Sequence, residues 1–273
     1  MRGKRQRQQV RPKTEAELEK MRVSCRMLGE LHTKLRDYVQ VGRSTAEIDA
    51  YGEKLIREMG AEPNFKNYQG YPAAICVSVN DEVVHGIPRA DRILEDGDIV
   101  SLDCGLVYDG WHSDAARTWG VGNVHPNALR LIEATKASFF AGMRKAVAGN
   151  HLYDISNAIA GYLQPFGYGI VRDLTGHGIG SHLHEEPVIP NYRMPPLQRG
   201  ILLEPGMTLA VEPMVTLGTW RVSWDDDGWT VRTQDGAPAA HYENTIAIRE
   251  DGLPEILTLM EDEESDPAVF RPE

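Results

Sequence analysis

The chain has 273 residues, 41% of them hydrophobic and 25% charged, with a net charge of −11. That length can bury a substantial core in one large or two small domains, and the acidic balance excludes a general nucleic-acid-binding surface. Cys25, Cys76 and Cys104 form neither a disulfide framework nor a CxxC pair, and no apolar run approaches the ~18 residues of a membrane span. A cytoplasmic protein without membrane attachment is expected.

Residues 1–13 carry six Lys/Arg and no acid, the composition of a disordered basic arm. Thr14 and Glu17 form a capping box, and Leu18, Met21, Cys25, Leu28, Leu31, Leu35 and Val39 follow at helical spacing. Gly42 ends that helix. Ser44 and Glu47 open a second, carrying Ile48, Tyr51, Leu55 and Met59, which stops at Gly60. After a loop holding Tyr68 and Tyr71, residues 74–79 read as a strand, 80–82 as a turn and Val83-Val84 as its return. Two further helices are expected over about 126–148 and 154–165. Strands are expected over 207–216, 221–224, 229–233 and 241–248. Residues 14–258 read as one domain, and 259–273 as a solvated acidic tail.

Between the two helix pairs lies GDIVSLDCGLVYDGWHSDAART, residues 97–118. Asp109-Gly110 between two β-forming runs is a strong hairpin signal. A two-residue turn there faces Tyr108 with Trp111, Asp103 with Ala116, and Gly105 with Asp114. Asp103 and Asp114 then share a face as diagonal neighbours, roughly 7–8 Å apart at the backbone. Solvated strand carboxylates would give the same pattern; Asp is nonetheless depleted in strands.

The rest of the chain adds to these two. Gly97–Asp103 is echoed by Gly206–Glu212, with a carboxylate six residues after a glycine in an apolar strand. Each is followed by a further carboxylate-bearing strand, with Asp114 in the first half and Glu243 in the second. Two similar α+β halves would each bring two carboxylates to a shared centre. TGHGIG at 175–180 offers His177 on a glycine-rich segment that permits close backbone approach. It lacks the spacing and the following helix of a phosphate-binding loop. Four carboxylates with one imidazole suit Mn, Fe, Co or Zn rather than a thiolate-bound structural zinc.

These segments carry a resemblance. NDEVVHGIP (80–88), DGDIVSLDCGLVYDGWHSD (96–114), GHGIGSHLHEEP (176–187), PGMTLAVEPM (205–214) and DGWTVRTQDG with HYENTIAI (227–248) are similar to those of type I methionine aminopeptidases. The resemblance implies the α+β pita-bread fold: two pseudo-symmetric halves around a curved antiparallel sheet covered by helices. It implies two divalent metal ions (Co, Mn, Fe or Zn), one held by Asp103, Asp114 and Glu243, the other by Asp114, His177, Glu212 and Glu243. It implies attack by a metal-bridging water or hydroxide on the first peptide bond, removing initiator methionine from nascent chains whose second residue is small. Glu212 would move the proton, His184 would stabilise the tetrahedral intermediate, and His85 would contact the substrate. Tyr68, Tyr71, Cys76, Leu183 and Trp229 match the methionine pocket, Leu183 standing where other members often carry an aromatic ring. His112 and His182 read as structural or exposed. The family core does not include the basic arm, for which ribosome association is one expectation; a monomer is the expected state.

Two rivals differ in what they require. A proline-specific peptidase shares the fold and the five ligands but not the methionine pocket. A metal-independent binding protein on this scaffold would have no need of all five.

Overall fold

The structure, a computed structural model, describes residues 10–263. The first half begins with α1 (Glu15–Tyr38) and α2 (Thr45–Glu58), each opened by the capping box expected for it. Thr14 and Ser44 accept from the backbone N–H three residues on, while Glu17 and Glu47 accept from Thr14 N and Ser44 N, both at 2.8 Å. All seven apolar positions named for α1 are buried, as are Ile48 and Leu55 of α2. Ser44→Ala therefore removes a cap from a buried helix and should lower stability by about 1 kcal/mol in urea unfolding.

The strands of this half are β1 (Glu62–Pro63), β2 (Ile75–Val79), β3 (Glu82–Val84), β4 (Ile99–Tyr108) and β5 (Trp111–Gly120). The β4–β5 hairpin has the expected register, with Tyr108 opposite Trp111, Asp103 opposite Ala116 and Gly105 opposite Asp114. Asp109 and Gly110 have φ of 49° and 78°, the left-handed pair that a tight hairpin turn demands. Both β1 and β2 pair with β4. Val83-Val84 does not return on the preceding strand: β3 pairs instead with a strand some 150 residues later in the chain.

The second half repeats the plan with α3 (Pro126–Met143) and α4 (Leu152–Leu163), α3 ending five residues before the expected 148. Its strands are β6 (Gly169–Ile170), β7 (Gly176–Gly178), β8 (Glu185–Ile189), β9 (Thr208–Val211), β10 (Met214–Thr216), β11 (Val222–Trp224), β12 (Val231–Thr233), β13 (Ala239–His241), β14 (Asn244–Ala247) and β15 (Glu255–Ile256). Two strands expected to be continuous are broken. Residues 207–216 divide at Glu212-Pro213, and 241–248 begins a strand earlier and divides at Tyr242-Glu243, so that each break separates two different sheets. Proline removes a ladder donor, which explains the first break. Both breaks carry a glutamate of the expected centre.

Each half has its own core. Leu31, Leu35, Ile48 and Ile56 of the first helix pair pack on Ile75, Val100 and Leu102; Phe139, Phe140, Ile155 and Ile159 of the second pack on Leu209, Val211 and Ile246. The halves meet along β5 and β14. Ala116 and Glu243 exchange N–H···O bonds of 3.3 and 2.9 Å, and Asp114 N donates to Thr245 Oγ1, whose hydroxyl donates back to Asp114 O. The expected pita-bread arrangement is thus present.

The chain ends depart from expectation. Residues 10–13 of the expected arm lie on the body: Val10 packs against the second core, and Lys13, 8% exposed, pairs with Glu185 at 2.6 Å. Residues 1–9 lie outside the described residues. At the other end Thr258 and Met260 are buried, and Glu263 pairs with Arg117 at 2.6 Å and Lys136 at 2.9 Å. Residues 259–263 therefore pack on the body rather than forming part of a solvated tail, and 264–273 lies outside the described residues.

Candidate metal centre

The hairpin register turns Asp103 and Asp114 to the same side, and the seam between halves lays Glu243 beside them. Pairing of β9 with β14, Val211 opposite Asn244, sets Glu212 next to Glu243 across the two strand breaks. His177 enters from β7, which pairs with both β8 and β9. The glycines around it are required by packing. A Cβ on Gly178 would lie within 2.1 Å of Glu186 O, and one on Gly176 within 2.4 Å of Ala210 O.

These five residues line one cavity of about 210 Å³, together with His85, His184, Tyr68, Tyr71, Cys76, Leu183 and Trp229. Every residue expected at the site is therefore brought together. Phe65 and Gln69 also line it and were not expected. Nothing in their local sequence separates them from ordinary loop residues.

His177 Nδ1 donates to Gly178 O at 2.8 Å, which leaves the Nε2 lone pair free as a ligand. Nε2 lies 3.6 Å from Asp114 Oδ2 and 3.8 Å from Glu212 Oε1. One donor atom each from Asp114, His177 and Glu243 fall within 4.8 Å of one another. Asp103 Oδ1, Asp114 Oδ1 and Glu243 Oε1 are buried without a hydrogen-bond partner. Orphaned carboxylate oxygens of this kind are costly unless a cation satisfies them. The oxygen-rich donor set with one imidazole fits a divalent metal centre.

Electrostatics agree. Burial pushes Asp103, Asp114, Glu212 and Glu243 well above the usual carboxylate range, and neighbouring carboxylates push Asp103, Glu212 and Glu243 further. Burial moves His177 the other way, to about 4, so its ring is neutral near pH 7. His85 is also pushed down to about 4, by burial and then by His184. Its backbone is left-handed, with φ 59°, a conformation retained in a non-glycine residue chiefly where the surroundings enforce it.

Carboxyl groups raised by folding hold protons that the unfolded chain releases, so their stabilising contribution is complete below the ordinary carboxylate range. It is lost as pH rises through the raised values. A cation reverses this penalty, and protons compete with it. The rise in melting temperature produced by Mn²⁺ should therefore be larger at about pH 7.5 than at about pH 5 by scanning calorimetry.

The wall of the cavity is aromatic. Tyr71 and Trp229 meet edge to face at 5.2 Å, and Tyr68 Oη and His184 Nδ1 are hydrogen-bonded at 2.8 Å. The His184 ring stands 4.2 Å from that of His177. Sequence reasoning passed over His241, which is 1% exposed with Nε2 at 3.8 Å from both Glu212 Oε2 and Glu243 Oε2. Its signal was the strand period: an imidazole two residues before an expected ligand faces the same side.

Two halves closing on one carboxylate-lined cup define the class, a pita-bread protein with a metal centre at its waist. The sequence profile of metallopeptidase family M24 matches residues 19–250. The methionine aminopeptidase of Clostridium acetobutylicum is 50% identical over 91% of this chain and 98% of its own. Methionine aminopeptidase 1 of Bacillus subtilis is 45% identical over 90% and 98%. The crystal structure of methionine aminopeptidase from Thermotoga maritima superposes with a TM-score of 0.88 at 40% identity, over 92% of this chain and all of that one. The prolidase of Pyrococcus furiosus, at 23% identity and a TM-score of 0.73 over 92% of this chain and 66% of its own, shares the fold. The chain belongs to metallopeptidase family M24.

Proposed function

We propose that this protein removes N-terminal methionine from polypeptides whose second residue is small. The reading is carried by a cavity of about 210 Å³ whose floor is the carboxylate–imidazole cluster and whose wall is Tyr68, Tyr71, Cys76, Leu183 and Trp229. This volume is below the ~300–1,000 Å³ of sites for drug-sized ligands, and suits a single unbranched side chain. A thioether gains from contact with the surrounding rings.

Asp103, Asp114, His177, Glu212 and Glu243 would hold the metal. Divalent ions there would supply Lewis acidity and acidify water towards neutral pH. The remaining chemistry belongs to the chain. Glu212, which lines the cavity beside the other carboxylates, takes a proton from the attacking water and returns it to the leaving amine. His184, oriented by Tyr68, and His85 supply hydrogen bonds to the developing oxyanion and to the substrate. The aromatic wall excludes water from the side-chain pocket.

Among the described residues no helix is long and apolar enough to cross a membrane. Nascent-chain N-termini are the substrates this reading assigns, and the cytoplasm, where they emerge, is the compartment. We further propose a monomer, and contact of the basic residues 1–9 with ribosomal RNA. The observation behind that contact is four Lys/Arg and no acid in those nine positions. Deleting residues 1–9 should reduce ribosome co-sedimentation at low salt; unchanged sedimentation rejects this contact.

The discriminating experiment for the activity compares Met-Ala-Ser with Ala-Pro-Ala under the same metal. Release of free methionine from the first, with little cleavage of the second, supports the assignment. Preferential cleavage of Ala-Pro-Ala would establish the proline-specific rival.

A further inference from the structure

His241 closes β13 immediately before Tyr242-Glu243. It is 1% exposed, and neither ring nitrogen has a hydrogen-bond partner. A fully buried, unpartnered imidazole calls for an explanation, and its surroundings supply one. Nε2 points between the two glutamates of the centre, 3.8 Å from Glu212 Oε2 and 3.8 Å from Glu243 Oε2. The opposite oxygen of Glu212, Oε1, faces His177 Nε2 at 3.8 Å. The opposite oxygen of Glu243, Oε1, is buried with no partner. Both glutamates thus turn one oxygen toward His241 and leave the other for the ligand cluster.

The backbone of His241 is tied to the other half of the molecule. Its N–H donates to Thr118 Oγ1 and its carbonyl accepts from the same hydroxyl, both at 2.9 Å. Thr118 lies on β5, four residues from Asp114, so the imidazole is fixed relative to carboxylates from both halves. At 3.8 Å the contacts exceed hydrogen-bond length, and a small rotation of either carboxylate about its terminal bond closes one. Nδ1 meets no acceptor, so the ring proton is best placed on Nε2, between two acceptors.

We propose that His241 is a positioning residue of the metal centre, its Nε2–H engaging the outer oxygens of Glu212 and Glu243 so that their inner oxygens stay aimed at the ion. Partners behind metal ligands fix which donor atom is presented and tune its basicity. The inference rests on reading the cluster as a metal site.

The test is calorimetric titration of chelator-stripped, full-length protein with Mn²⁺, comparing wild type, His241→Leu and His241→Gln. Leucine keeps the bulk and lacks the donor; glutamine restores an N–H. The dissociation constant should rise about 10–100-fold in His241→Leu and stay near the wild-type value in His241→Gln. Cleavage of Met-Ala-Ser by His241→Leu should recover in kcat at saturating Mn²⁺ with KM for the peptide unchanged. Should His241→Leu fail to fold by circular dichroism, His241→Ala serves the same comparison. Wild-type affinity in the donorless variant, or equal loss in His241→Gln, overturns the proposal while leaving the metal centre intact. No Mn²⁺ uptake by wild type overturns the metal centre itself.

Discussion

Glu212→Ala should abolish methionine release, lowering kcat by roughly 1,000-fold or more, while leaving the metal-free protein at least as stable as wild type. The two halves of this result have one cause. Glu212, its side chain 13% exposed, lies beside Asp103, Asp114 and Glu243. All four hold protons more tightly than ordinary carboxylates, because desolvation disfavours ionisation and, for all but Asp114, like charge adds to it. Deleting one member relieves repulsion in the metal-free state, yet removes both a proposed metal ligand and the group proposed to carry the proton. A residue retained for packing would show the reverse, with lost stability and residual activity. Rates on Met-Ala-Ser at saturating metal, with melting temperatures under chelator, separate the two readings.

Arg117→Ala should lower stability by about 3–5 kcal/mol in denaturant unfolding. The guanidinium is 2% exposed and lies against the ring of Tyr242, 4.4 Å from its centroid. It donates to the carbonyls of Ala116, Glu243 and Thr258, to Asn244 Oδ1 at 2.8 Å and to Glu263 Oε2 at 2.6 Å. Removing it takes a donor from each of these acceptors and leaves the Glu263 carboxylate, its side chain 8% exposed, to Lys136, Tyr242 and the Met260 N–H. Burial alone would raise Glu263, but Arg117 and Lys136 overcome it and hold the carboxyl down to about 2. Its contribution is therefore present above the ordinary carboxylate range and lost as pH falls towards about 2. Because Arg117 grips the carbonyl of Glu243, the variant should also bind metal more weakly. Glu263→Gln loses the charge and one acceptor oxygen, its amide NH2 facing donors, but leaves the Arg117 bonds to Ala116, Glu243, Asn244 and Thr258 in place and should cost less.

Legibility in the sequence followed the range of the interaction. Local chemistry was readable: the capping boxes at Thr14 and Ser44, the apolar stripe of α1, and the Asp109-Gly110 turn that sets Asp103 and Asp114 on one face. The four carboxylates and His177 were readable because each sits in a short segment with its own pattern. Long-range pairing was not. Val83-Val84 looked like the return of a hairpin, because nothing local announces a partner at Val231. The breaks at Glu212-Pro213 and Tyr242-Glu243 were hidden inside apolar runs, although Pro213 was itself a warning. Glu263 was lost in an acidic composition, since only the fold reveals Arg117 beneath it. Lys13 was masked in the same way, counted with a basic arm while its partner, Glu185, lies 172 positions away.

The most direct measurement is methionine release from Met-Ala-Ser by chelator-stripped protein, before and after adding back Mn²⁺, Co²⁺, Fe²⁺ or Zn²⁺. A buried carboxylate cup acting as a metal centre predicts no release from the stripped protein and recovery with at least one ion. Release that persists without metal, or folded protein that stays inactive with every ion, would contradict it.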